Sequence, residues 1–128
     1  MSSKDLEYFR QLILKKREDT VEELEFLKNN LNEMMSADDD DISSTTHHMA
    51  DVGSDEQGIA LTYQLIERSR KFINQLDRAL ERIDNGTYGI CRATGKLIER
   101  GRLEFAPHTR YSIEAKRKGL DKKGVQYV

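Results

Sequence analysis

The residues best equipped for chemistry in this chain are a single cysteine, Cys91, three histidines, His47, His48 and His108, and a long acidic stretch. One cysteine excludes an intramolecular disulfide and an all-cysteine metal site within one chain. His47 and His48 are adjacent, so in regular structure their side chains diverge, and they suit a loop better than a metal site. No metal constellation, phosphate loop or nucleophile–base spacing is present, which makes an enzyme the least favoured class. The acids are more informative. No Lys or Arg occurs between Lys28 and Arg68, while Glu33, Asp38, Asp39, Asp40, Asp41, Asp51, Asp55, Glu56 and Glu67 fall in that gap. Such a segment is either a solvated loop or an acidic prong aimed at a basic site or a bound metal ion on a partner.

The elements that position these groups follow from composition and periodicity. With 37% hydrophobic, 34% charged and 7% aromatic residues in 128, the chain is too polar for a thick globular core and suits a helical hairpin with much surface per residue. The net charge of −2 is a cancellation. Residues 1–87 hold 11 Lys/Arg against 19 Asp/Glu, and residues 88–128 hold 10 against 4, so an acidic part of −8 precedes a basic part of +6. No apolar run approaches the ~18 residues of a membrane span, and the polar start is no signal peptide. A soluble, cytoplasmic protein with no membrane partner is expected.

Pro107 is the only proline, so nothing upstream of it interrupts a helix. Helix is expected from Ser3 to about Met35, with Ser2 or Ser3 as N-cap and Asp5 and Glu7 in the first turn. Ile13, Arg17, Thr20, Leu24, Leu27, Leu31 and Met34 alternate four- and three-residue steps, and Leu6 and Phe9 extend the stripe upstream. A second seam is clearer: Ile59, Thr62, Ile66, Ser69, Ile73, Leu76, Leu80 and Ile83 keep a heptad rhythm until Asn85-Gly86 ends it. Ser54, followed by Asp55 and Glu56, is its expected start. Two such helices fold back most simply into an antiparallel hairpin with arms of about 45 Å. Residues 1–86 are therefore read as a coiled-coil hairpin whose tip is an irregular loop over about 36–53. A parallel intermolecular coiled coil is the less favoured alternative.

Residues 87–118 change character. Thr87 to Cys91 and Lys96 to Ile98 read as short extended pieces around a Thr94-Gly95 turn, and Arg102 to Ala106 as a third piece stopped by Pro107. Ile113 to Lys118 is expected to form a terminal helical turn, and residues 119–128 a polar tail.

The order of these parts carries a resemblance. A long helix, an acidic tip, and a long helix ending in Asn85-Gly86-Thr87-Tyr88-Gly89-Ile90-Cys91, then Thr94-Gly95 and Leu103 to Pro107, resembles the DksA/TraR family over about residues 5–118. Its members insert a coiled-coil hairpin into the secondary channel of bacterial RNA polymerase and carry a four-cysteine zinc finger. The resemblance implies a mainly α fold, a long hairpin with a small zinc-finger-like module and a short C-terminal helix. It also implies a role for the tip. The family's tip pattern Asp-x-x-Asp-x-Ala falls on His48, Asp51 and Gly53, so the second acid is kept while an imidazole and a glycine replace the others. Asp55 completes the set of tip residues expected to meet a partner.

The metal site departs from the family. Its four cysteine positions fall on Cys91, Thr94, Ser112 and Ala115, and three of these cannot act as the deprotonated S or N ligands of structural zinc. His108, the module's only histidine, would raise the ligands to two at most. Zinc is expected to be lost, with Tyr88, Ile90, Cys91, Leu97, Ile98, Leu103, Phe105, Tyr111 and Ile113 forming a small apolar core in its place. The family's ppGpp-binding positions fall on Gln75, Ala106 and Lys116, of which only the last is basic, so a shared ppGpp site is expected to be impaired. Arg68, Arg70, Arg102, Lys116 and Arg117 could hold the protein to an acidic polymerase surface, against the plainer reading of solvated charge. The expected function is a non-enzymatic transcription regulator of RNA polymerase, with no sequence-specific DNA binding of its own. Two alternatives stay open: a nucleic-acid-binding protein using the +6 module, which sparse aromatics and the acidic arm disfavour, and a structural coiled-coil protein. Transcript cleavage factors also use acidic hairpins, which leaves open a metal-assisting role for the tip acids.

Overall fold

A computed structural model describes the backbone of residues 1–36 and 41–123, and the side chains of residues 1–36 and 56–121. Two long helices dominate it, α1 (Ser3–Ser36) and α2 (Asp41–Asn85), followed by three short ones, α3 (Arg100–Phe105), α4 (Ile113–Arg117) and α5 (Leu120–Lys123). The fold is mainly α, and among the described residues there is no strand, only an isolated antiparallel bridge between Ile90 and Leu97.

Both long helices have the ends their sequences favour. The Ser2 hydroxyl accepts from the Asp5 N–H at 3.1 Å, satisfying one of the donors orphaned at the start of α1. At the end of α2, the Thr87 N–H donates to the Arg82 carbonyl (2.9 Å) and the Gly86 N–H to that of Ile83 (3.3 Å). Gly86, at φ +78°, supplies the left-handed residue this closing pattern requires.

The start of α2 corrects one expectation. It begins at Asp41 and not at Ser54, so the connection read as irregular over 36–53 is helical backbone from Asp41 onward. No proline lies in this stretch, and Gly53 and Gly58 cost a helix only about 1 kcal/mol each. Polar composition signalled a loop where the helix simply lacks an apolar stripe.

The chain packs as two compact units, one of Met1–Arg17 with Asn74–Val128, the other of Glu18–Ile73. In the first, Arg10 pairs with Asp84 at 2.7 Å and Arg17 with Asp77 at 2.6 Å, so seven residues forward on α1 meet seven residues back on α2. The helices are antiparallel there. Phe9, Ile13, Leu76, Ala79, Ile83, Tyr88, Ile98 and Leu103 are buried in this unit, and the Phe9 and Tyr88 rings lie 5.7 Å apart. In the second unit Leu27, Leu31 and Ile66 form the core, flanked by Leu24, Ile59 and Leu65. The expected seams are thus the buried faces. Their polar members are buried too: Thr20, Thr62 and Ser69 are each 6–7% exposed, and the Thr62 hydroxyl donates to the Gly58 carbonyl at 2.7 Å.

The distal module keeps a tight ribbon. The Cys91 N–H donates to the Lys96 carbonyl and the Ile98 N–H to that of Gly89, both at 2.7 Å. The piece read as extended at Arg102 to Ala106 is instead the end of α3, which an Arg100–Glu104 pair at i,i+4 supports and Pro107 terminates. Six residues with one buried member, Leu103, are too few for periodicity to separate helix from strand. Of the apolar core expected here, Tyr88, Cys91, Ile98 and Leu103 are buried, whereas Ile90, Leu97, Phe105 and Ile113 are exposed, Phe105 at 84%. Pro107 is fully buried, and its carbonyl accepts from the Tyr88 hydroxyl at 2.8 Å. Residues 124–128 of the expected tail lie outside the described residues.

Candidate functional site

The distal module brings together the four positions compared above with metal ligands. Cys91 is 1% exposed, and its sulfur accepts from the Ser112 N–H at 3.4 Å. The Ser112 hydroxyl in turn caps α4 by accepting from the Ala115 N–H at 3.1 Å. Burial pushes the Cys91 thiol up, but hydrogen bonds from the Thr94 hydroxyl and from the N–H groups of Ser112, Thr94 and Ala93 outweigh it and hold the group down at about 7. The ribbon therefore presents a ring of donors to one sulfur.

The basic residues expected to meet a partner are used differently from one another. Arg102 is spent inside the module, donating to the Tyr111 carbonyl (3.3 Å) and the Thr109 hydroxyl (3.4 Å), so it locks the segment before α4 and is not a free contact. Arg70 pairs with Glu67 at 3.4 Å on an exposed face of α2. Arg68, Lys116 and Arg117 are exposed. Lys116 and Gln75 line one cavity, together with Arg78, Arg82, His108 and Arg110, whereas Ala106 does not line it. Burial, followed by Lys16, Lys116, Arg102 and Arg82, pushes the His108 imidazole below its usual value, so it is neutral at pH 7.

At the tip, His48, Asp51, Gly53 and Asp55 belong to the helical backbone of α2, and their side chains lie outside those described. Asp38, Asp39 and Asp40 also lie outside the described residues.

Comparison with known proteins supplies the family. The model of the prokaryotic dksA/traR C4-type zinc finger matches residues 86–118. The RNA polymerase-binding transcription factor DksA of Caulobacter vibrioides is 34% identical over 117 residues, which cover 90% of this chain and 75% of that protein. The chain belongs to the DksA/TraR family. Among solved structures, transcription factor DksA2 from Pseudomonas aeruginosa matches with a TM-score of 0.79 at 29% identity, covering 95% of this chain and 88% of that one. General stress protein 16O of Bacillus subtilis is 36% identical over 69 residues, 54% of this chain and 42% of its own length. As a member of this family of transcription factors, the chain is non-enzymatic.

The family name implies a C4 zinc finger, and the residues present do not fit one. At the four positions this DksA/TraR member offers a thiol, two hydroxyls and a methyl group. Among the described residues no group of three or more His, Cys, Asp or Glu is placed to hold a metal ion. What persists is the donor ring around one sulfur, which suits a thiolate without a metal.

Sequence reasoning did not single out Arg78, Arg82 and Arg110, which line this cavity. The only signal was Arg78 and Arg82 at i,i+4 spacing beside the heptad seam; Arg110 comes from a loop that only the fold brings near.

Proposed function

We propose that this chain is a regulator that binds bacterial RNA polymerase through its secondary channel, with the acidic hairpin tip directed at the active centre. The observation that carries the reading is the match over nine-tenths of the chain to a factor named for polymerase binding. The antiparallel pairing of α1 and α2 supports it, as does the stretch from Asn29 to Glu67 with no Lys or Arg, whose field would favour a basic channel. Asp51 is the tip residue on which the effect depends, with His48, Gly53 and Asp55 setting its surroundings. Arg68, Lys116 and Arg117 supply exposed charge for an acidic polymerase surface. The finger holds its shape without zinc, by packing and by the hydrogen bonds around Cys91.

Purified polymerase tests this reading. Saturable binding is expected, weakened about tenfold or more by Asp51→Asn and lost on deletion of residues 38–51. Absence of binding overturns it, and binding to duplex DNA at moderate salt without polymerase favours the nucleic-acid alternative. Thermal melting with and without a strong chelator tests the finger. The melting temperature is expected to be unchanged, whereas a fall of several degrees would show that metal is part of the fold.

A further inference from the structure

One side of the helix pair in the unit of Glu18–Ile73 is apolar and exposed. The Thr62 hydroxyl donates to the Met34 sulfur across the seam (3.8 Å), and the Tyr63 hydroxyl to that of Met35 (4.0 Å). Tyr63 and Met35 each follow a seam residue by one position, so they mark one side of the antiparallel pair. Residues that precede a seam member by one position share the opposite side. The apolar ones are Phe26, Leu61, Leu65 and Phe72; the first two are exposed, at 64% and 55%, and the others half-buried. Glu23 and Glu33 of α1 stand in the same register and are exposed, and Arg68 is the one cation in it. An apolar patch with an acidic rim fits an apolar group with a basic rim.

The finger carries the complement. Ile90 and Leu97 are opposite one another in the ribbon's isolated bridge, so their side chains stand on one face, and both are exposed, while the next residue, Ile98, is buried on the other. Lys96 is exposed beside them. Lys118 first, then Lys96 and Arg117, hold the Glu114 carboxyl below its usual value, so these three cations gather at one place on the finger. Charge divides between the two units in the same sense. Residues 18–73 hold 4 Lys/Arg against 14 Asp/Glu, a net −10, and residues 1–17 with 74–128 hold 17 against 9, a net +8. At −2 overall, two copies repel one another only weakly, while their unlike units attract.

We infer that the chain self-associates, with Ile90 and Leu97 of one copy seated on the Phe26–Leu61 face of a second, and the cations of that finger against the second copy's acidic rim. The occupant is a second copy because the chain itself presents both halves of the match, an apolar centre on each and rims of opposite charge. Pairing two fingers, or two acidic faces, would set like charge against like. A two-fold dimer makes the contact twice. With so little apolar area in each half, the association is weak and depends on concentration. It covers part of the acidic unit, so a paired copy offers less of that unit to any other basic partner. The inference rests on the chain alone and does not depend on polymerase binding.

Sedimentation velocity of the full chain between about 1 and 100 µM tests it. A shift toward twice the 14.8 kDa chain mass is expected as concentration rises. Raising sodium chloride to about 0.5 M should weaken the association tenfold or more, because charge then reaches only a few Å. Leu97→Ser on the finger and Phe26→Ser on the acidic face should each weaken it about tenfold; both side chains are exposed, so the melting temperature should stay within about 2 °C of the parent. Lys96→Glu, which alters charge and no apolar contact, should weaken it as well. The two serine variants also separate the possible pairings: finger against finger would survive Phe26→Ser, and face against face would survive Leu97→Ser. A chain that stays monomeric at about 100 µM, a dimer that withstands either serine variant, or one indifferent to salt would each overturn the proposal.

Discussion

The two packing units are built from the same pair of helices yet differ in what they bury. In the unit of Met1–Arg17 and Asn74–Val128, Phe9, Ile13, Leu76, Ala79 and Leu103 are 0% exposed, and Tyr88, Cys91, Ile98 and Pro107 fill the space around them. In the unit of Glu18–Ile73, three core side chains, Leu27, Leu31 and Ile66, alternate with buried Thr20, Thr62 and Ser69. Hydrophobic stabilisation scales with the apolar area removed from water, so the first unit holds most of it. The second is built on α1 and α2, and its sequence from Asn29 to Glu67 holds no Lys or Arg.

The sharpest way to break this comparison is the same substitution in each unit. Leu103→Ala should destabilise by about 3–5 kcal/mol, because a fully enclosed site cannot collapse. Leu31→Ala, at a thin and partly polar seam, should cost only about 2 kcal/mol in denaturant unfolding. Equal losses would show that the arm is packed as firmly as the base.

A second, smaller effect sharpens the comparison through pH. The only cysteine lies in the first unit, and its folded pKa of about 7 is below the value of a free thiol, ~8.5. Between these values the unfolded chain holds a proton that the native chain has released, so stability rises with pH through that window and is lost as pH falls through 7. The gain from pH 7 to 9 should be on the order of 1–3 kcal/mol, and Cys91→Ser should remove it. A pH profile identical in the two proteins would mean that the donor ring does not stabilise a thiolate.

The smallest effect concerns Arg17 and Asp77, a polar layer on the seam. Their side chains are 40% and 43% exposed, so solvent screens the pair. Arg17→Met should change stability by less than ~1 kcal/mol at physiological salt.

The seams were legible in the sequence because burial repeats at helical spacing: Phe9, Ile13, Thr20, Leu27 and Leu31 on α1, and Thr62, Ile66, Ser69, Leu76 and Ile83 on α2, fall where the pattern puts them. The start of α2 was not legible, since residues such as Ser43, Thr45 and His47 carry no apolar period and propensity alone reads them as a loop. In the finger, Leu97 and Phe105 were expected inside but are 66% and 84% exposed, because alternation over so few residues does not fix which side faces the core. The arginine cavity was invisible for a different reason. Arg78 and Arg82 lie on α2 and Arg110 in the loop before α4, and only the fold brings them to one cavity.

The central claim is that the tip enters the polymerase channel, and site-specific crosslinking tests it most directly. With Cys91→Ser as background, the chain has no other thiol, so Asp51→Cys carries a crosslinker at the tip alone. The account predicts crosslinks to polymerase residues lining the secondary channel near the active centre. Crosslinks confined to an outer surface of polymerase, or to DNA, would contradict it.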